Sequence, residues 1–176
     1  MLPGMTRAAT NSVRFVRTLL TAIVLLGLAA AASAQADAIR FEVETFRVDL
    51  VREDGEIVER LVPVDEAIPG EEIEYRVTAR HDGDVIYRPG TVVVTVPLGE
   101  GVAYVAESAT PSDDRILTEF SADGGTSFSE PGTVQRSDED GGGTAGPDDY
   151  THVRWTFTTL FEPDQEETLV YRVTVR

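Results

Sequence analysis

The chain has 176 residues, with 31 acidic against 15 basic side chains, a formal net charge of −16 and no cysteine. That balance excludes nucleic-acid or anionic-lipid binding as a main role, because both need a basic footprint. The missing thiols exclude disulfides, thiolate metal sites and lipid attachment through cysteine.

At the N-terminus, Arg7, Arg14 and Arg17 precede an apolar run from Leu19 to Ala32 that ends in Ala32-Ser33-Ala34. A positive n-region, an apolar h-region and a small-residue site together describe a secretory signal peptide. The run falls short of the roughly 20 apolar residues of a spanning helix. Residues 1–34 are therefore read as a cleaved leader, with Met5 an alternative start and Gln35 first in the mature chain. An exported protein, periplasmic or secreted, is expected, without a membrane span in the mature part. Residues 35–176 suit one domain with one core.

The mature region runs on a period of two. Phe46 to Arg52 and Ile57 to Val62 flank Glu53-Asp54-Gly55-Glu56. Asp-Gly suits a two-residue type I′ turn, which sets Val48 opposite Leu61 and Asp49 opposite Arg60. Upstream, Phe41 and Val43 are out of phase with Phe46, Val48 and Leu50. A one-residue slip flips the facing, which predicts a bulge or a change of sheet near Glu44-Thr45.

Ile73, Tyr75, Val77 and Ala79 then alternate with Arg76, Thr78 and Arg80, so the apolar set faces inward. Further strands are expected at Thr91–Val96, Val102–Ala106 and Ile116–Ser121. Val153, Trp155 and Phe157 make another inward row, and Leu169, Tyr171, Val173 and Val175 a last one. Tyr-Arg-Val-Thr occurs in both the Tyr75 and Tyr171 strands, which implies similar environments. Pro69-Gly70, Asp82-Gly83, Pro89-Gly90 and Asp123-Gly124-Gly125 separate the strands. About eight short strands predict an all-β, immunoglobulin-like antiparallel β-sandwich. Residues 129–149 break the period with Gly, Pro, Ser and acid, and are read as a long exposed loop within the domain.

Three segments resemble the conserved-repeat domain of exported bacterial envelope and surface proteins, a family of unknown function. They are Pro69-Gly70-Glu71-Glu72-Ile73-Glu74-Tyr75-Arg76-Val77-Thr78, Val92-Val93-Val94-Thr95-Val96-Pro97 and Gly101-Val102-Ala103-Tyr104-Val105-Ala106-Glu107-Ser108-Ala109. The segments Phe120 to Phe128 and Asp149 to Trp155 are similar to a subset of exported relatives. The resemblance covers roughly Val64 to Arg176. It implies an immunoglobulin-like sandwich, often in tandem arrays, with no established enzymatic activity. Here His81-Asp82-Gly83 stands where the family commonly has Asn-Thr-Gly, and a single copy is present.

Ser121-Ala122-Asp123-Gly124-Gly125-Thr126-Ser127-Phe128 fits an Asp-box, in which a carboxylate accepts backbone N–H groups across a turn and an aromatic ring packs beneath. Asp138, Asp140, Gly143 and Asp149 match positions of a calcium-loop spacing, but Gly142 offers no oxygen, Asp149 stands in for a bidentate Glu, and flanking helices are missing. Weaker calcium binding by Asp138, Glu139, Asp140, Asp148 and Asp149 is the metal reading; no other cofactor is expected. His81 and His152, the chain's two histidines, are read as surface residues. Trp155, Tyr75 and Tyr171 are assigned to the core, while Tyr87 and Tyr150 are the freer rings for sugar stacking. No nucleophile triad, phosphate loop or zinc motif occurs. These features point to a non-enzymatic structural or protein-interaction module of the cell envelope or secreted fraction, with an unknown protein partner. A calcium- or carbohydrate-binding accessory domain is the alternative, and a carboxylate hydrolase the third.

Overall fold

Alternating apolar and polar side chains produce pleated ribbons with one dry face, and such faces must pair. The computed structural model describes residues 38–137 and 141–176; the leader expected at 1–34 and the acidic residues Asp138, Glu139 and Asp140 lie outside the described residues. The strands are β1 (Ile39–Glu53), β2 (Glu56–Pro63), β3 (Glu72–His81), β4 (Val93–Pro97), β5 (Val102–Tyr104), β6 (Ile116–Ser121), β7 (His152–Phe157) and β8 (Glu166–Val175). They form a five-stranded sheet, β2-β1-β3-β8-β5, and a three-stranded sheet, β4-β7-β6, all antiparallel and not closed into a barrel. The expected all-β, eight-stranded sandwich is present.

The inward rows meet between the sheets. Ile73, Tyr75, Val77 and Ala79 of β3 with Leu169, Tyr171 and Val173 of β8 face Val153, Trp155 and Phe157 of β7, all buried. Tyr75 lies directly opposite Tyr171 in the ladder, and their rings stack 5.0 Å apart. The shared Tyr-Arg-Val-Thr therefore marks two neighbouring strands in one environment. Burial pushes the Tyr75 phenol up to about 12.

β1 departs from expectation. Its register against β3 runs unbroken from Ile39↔His81 to Arg47↔Ile73, and its register against β2 starts at Phe46↔Pro63 in the same sheet. No bulge or sheet change occurs near Glu44-Thr45. The strand exchanges its main partner instead, and Phe46, Val48 and Leu50 lie on the outer face. Phe46 is covered there by the Arg76 guanidinium, 5.0 Å from the ring centre, rather than by a second sheet.

Residues 129–137 and 141–149 also order more than the composition of this segment predicts. A bridge joins Gln135 to Thr144, the Ala145 N–H bonds to the Val134 carbonyl (2.8 Å), and Val134 and Ala145 are buried. A single 3₁₀ turn at Pro147–Asp149 then leads into β7.

Candidate functional site

Two surfaces stand out, at opposite edges of the five-stranded sheet. The first is the β1–β2 hairpin. Asp54 (φ 50°) and Gly55 (φ 91°) take the two positive dihedrals of a type I′ turn, and the ladder pairs Val48 with Leu61 and Asp49 with Arg60 as the turn requires. Asp49 itself forms its ion pair within its own strand, with Arg47 at 2.6 Å. That contact raises the guanidinium and lowers the carboxyl.

Beyond Arg47, β1 leaves β3, and the hairpin arches over the outer face of the sheet. Glu59 on β2 takes two hydrogen bonds from Arg172 on β8, at 3.0 and 2.8 Å. Two strands separate β2 from β8, a span of about 14 Å in a flat sheet, so the contact demands curvature. Arg172 also holds Glu74 (2.9 Å) and Glu72 (3.2 Å), while Arg76 holds the other Glu74 oxygen (2.8 Å). Hydrogen bonding to Arg172 lowers the Glu59 carboxyl, and Glu59 and Glu74 together raise the guanidinium against its desolvation. The hairpin tip carries Leu50 and Ile57 on one face, 71 % and 65 % exposed.

The far edge of β2 makes no backbone hydrogen bond among the described residues. It differs in this from β6, whose free donors are all taken: Ile116 N–H by the Asp113 carboxylate, Thr118 N–H by the Ser112 hydroxyl and Phe120 N–H by the Ser129 carbonyl. Backbone hydrogen bonds at Arg115 and Ile116 keep the Asp113 carboxyl low. β6 is thus a closed edge, and β2 is the longest open one.

The second surface is a cleft of about 600 Å³ between edge strands β5 and β6, at the side of the sandwich. Tyr104, Phe120 and Tyr150 close its floor, with ring centres 4.6–5.8 Å apart. Pro111, Pro131 and Pro147 stand in its walls with Ala106 and Ala109. Glu107 and Glu130 also line it, and neither carboxylate has an ion-pair partner among the described residues. Glu107 holds a positive φ of 60°, which costs a side-chain-bearing residue backbone energy. The tyrosine hydroxyl of Tyr104 accepts the Ala109 N–H at 3.0 Å and fixes that turn. Burial is the main cause that raises the Tyr104 phenol. No sequence signal marked the cleft, since four separate segments between Tyr104 and Tyr150 assemble it.

The residues singled out in the sequence are distributed as follows. Asp149 caps the Gly146 N–H (2.8 Å) and pairs with Arg136 (3.1 Å), and Asp148 pairs with Arg176 (3.0 Å). The structure brings no group of three or more metal-ligating side chains together among the described residues. Tyr150 is buried at 9 % exposure, stacked on Phe120, and is not a free ring. Val134 and Ala145, bonded to each other and both buried, anchor the chain that leads to it against the core. Tyr87 packs on the His81 ring at 4.9 Å.

His81 is fully buried rather than superficial, because the inward row of β3 continues one step past Ala79. Its Nε2 donates to the Val85 carbonyl (2.6 Å) and its Nδ1 accepts the Gly83 N–H (2.9 Å), which defines the neutral Nε2–H tautomer. His152 is half-buried beside Phe128, and burial lowers its pKa against the pull of Asp123. Gly125 is required beneath it: φ is 85°, and a Cβ would sit 3.3 Å from the imidazole.

The Asp-box is built as expected. Asp123 accepts the Thr126 and Ser127 N–H groups (3.1 and 2.9 Å) and both the Ser121 and Ser127 hydroxyls (2.7 and 2.6 Å). Phe128 packs under the Arg154 guanidinium at 4.0 Å. Those bonds, the Ser127 hydroxyl first, hold the Asp123 carboxyl at about 2, below its ordinary 3.8. The folded value lies below the unfolded one, so the stabilisation is full above pH 4 and lost as pH falls towards 2. Asp123→Asn is expected to cost about 1 kcal/mol at pH 7, a figure discounted for solvent screening at this exposed site. Melting curves of the two proteins should converge between pH 4 and pH 2; a constant gap would refute the assignment.

Compared with known proteins, the chain matches no family model, no curated protein and no solved structure.

Proposed function

We propose that this chain is a non-enzymatic, exported structural or protein-interaction module of the cell envelope or secreted fraction, and that the β1–β2 hairpin is its contact surface. The open β2 edge with Leu50 and Ile57 beside it carries this reading. Unpaired strand donors and acceptors recruit another strand, and adjacent apolar side chains supply the buried area. The groups best suited to acid–base work are committed elsewhere: His81 to Val85 and Gly83, Glu74 to two arginines.

The occupant is an extended segment of a partner protein rather than a second copy. A net charge of −16 makes self-pairing repulsive. Asp54, Glu56, Asp65 and Glu66 around the edge lack ion-pair partners among the described residues, which favours a strand that alternates apolar and basic side chains.

The test replaces Ile57 with a photo-reactive phenylalanine analogue in the producing cell. One discrete heterologous adduct is expected, abolished by Leu50→Glu, with none from the same analogue at Asp84. No adduct, equal adducts at both positions, or an adduct of twice the chain mass overturns the reading.

A further inference from the structure

The lateral cleft stands independently of the hairpin, at the opposite edge of the sheet. Its size falls within the range of ligand sites, roughly 300–1,000 Å³. Its walls are three prolines, whose fixed backbone lets a ligand bind with little loss of chain freedom.

The arginines show what the cleft lacks. Every arginine of the described chain except Arg52 and Arg88 forms an ion pair within the molecule. Glu107 and Glu130 are carboxylates that this internal pairing leaves uncompensated, and they are the two charged residues lining a mainly apolar hollow whose other polar residues are Thr110, Ser112 and Thr118. Two carboxylates lining a cleft together with aromatic rings and prolines suit a cation with an apolar stem. A planar guanidinium fits better than an ammonium, since it bonds carboxylates through a fork and lies flat on rings. Glu107 is held at positive φ on this rim, so the chain sustains backbone strain where the carboxylate is presented.

We propose that the cleft between β5 and β6 binds an arginine side chain carried on an extended basic segment of a partner protein, the stem against Pro111, Pro131 and Pro147 and the guanidinium between Glu107 and Glu130.

The test titrates the full chain with a fluorescent Gly-Arg-Gly-Arg-Gly peptide and with the same peptide carrying citrulline, a neutral isostere of arginine. Binding of the arginine peptide alone is expected. Glu107→Gln with Glu130→Gln should weaken it about tenfold. Glu162→Gln with Asp84→Asn removes the same charge from exposed positions without an ion-pair partner, away from the cleft and the hairpin, and should change it by less than about twofold. Equal losses in the two double variants would reduce the binding to net-charge attraction and overturn the site, as would absent binding or equal binding of the citrulline peptide. Thermal melts that match the parent chain exclude unfolding as the cause of any loss, and amide shifts confined to residues 104–112 and 130–132 are the positive signature.

Discussion

Trp155→Ala is expected to cost about 3–5 kcal/mol, the usual range for emptying a buried aromatic site. Trp155 is fully buried and central in its sheet, with Val94 of β4 on one side in the ladder and Thr118 of β6 on the other. Its ring packs on Tyr171 of the opposite sheet at 6.0 Å, and its indole N–H donates to the Thr110 carbonyl at 3.4 Å. Removing it opens a cavity where both sheets and the 105–115 connection meet. A domain of this size has about 5–15 kcal/mol in total, so the variant should melt roughly 10 °C lower. Trp155→Phe keeps much of the ring, and the Thr110 carbonyl keeps the Thr118 hydroxyl (2.7 Å), so a loss of about a third as much is expected. Ile57→Ala, on the exposed hairpin tip, should stay within about 0.5 kcal/mol. Circular-dichroism melts rank the three; equal shifts for Trp155→Ala and Ile57→Ala would contradict the assigned core.

Period-two reading succeeded where a strand has one dry face and one wet face. The rows of β3, β7 and β8 fell on the expected residues because the opposing sheet sorts their side chains. It failed on β1, whose second half extends past the end of β3. No sheet faces it there, so Phe46 is sheltered by Arg76 and the apolar row carries no information about which side is the core. His81 was legible in principle, as the next member of the row ending at Ala79, but Asp82-Gly83 read as the start of the turn.

The segment 129–149 shows the limit of composition. An average over many polar residues conceals that Val134 and Ala145, with Tyr150 just beyond, are enough to anchor it to the core. Of the two candidate surfaces, the hairpin register followed from Asp54-Gly55 alone. The cleft did not, because Glu107 and Glu130 come to line one cavity only through the tertiary packing of separate segments between Tyr104 and Tyr150.

Arg172→Ala tests the link between the sandwich and its hairpin. Glu74 lies at 3 % exposure with Arg172 and Arg76 on its two oxygens. Stripping a buried charge of its partner costs about 3–5 kcal/mol; Arg76 remains, so roughly 2–3 kcal/mol is expected. A second effect is local. Glu59 loses both of its bonds to β8, and the hairpin loses the tie that bends it over the sheet. Amide exchange should therefore accelerate in Val48–Glu53 and β2 well beyond the change in β3 and β8. Combining Glu74→Met with Arg172→Met removes the buried Glu74 charge together with its half-buried partner and should recover most of the global stability. It leaves Glu59 without its arginine, so fast exchange in the hairpin persists. Recovery of both quantities together would mean that Glu59–Arg172 is an incidental contact and that the arch is held by β1 alone; recovery of neither would mean that the global loss does not come from the unpaired Glu74 charge.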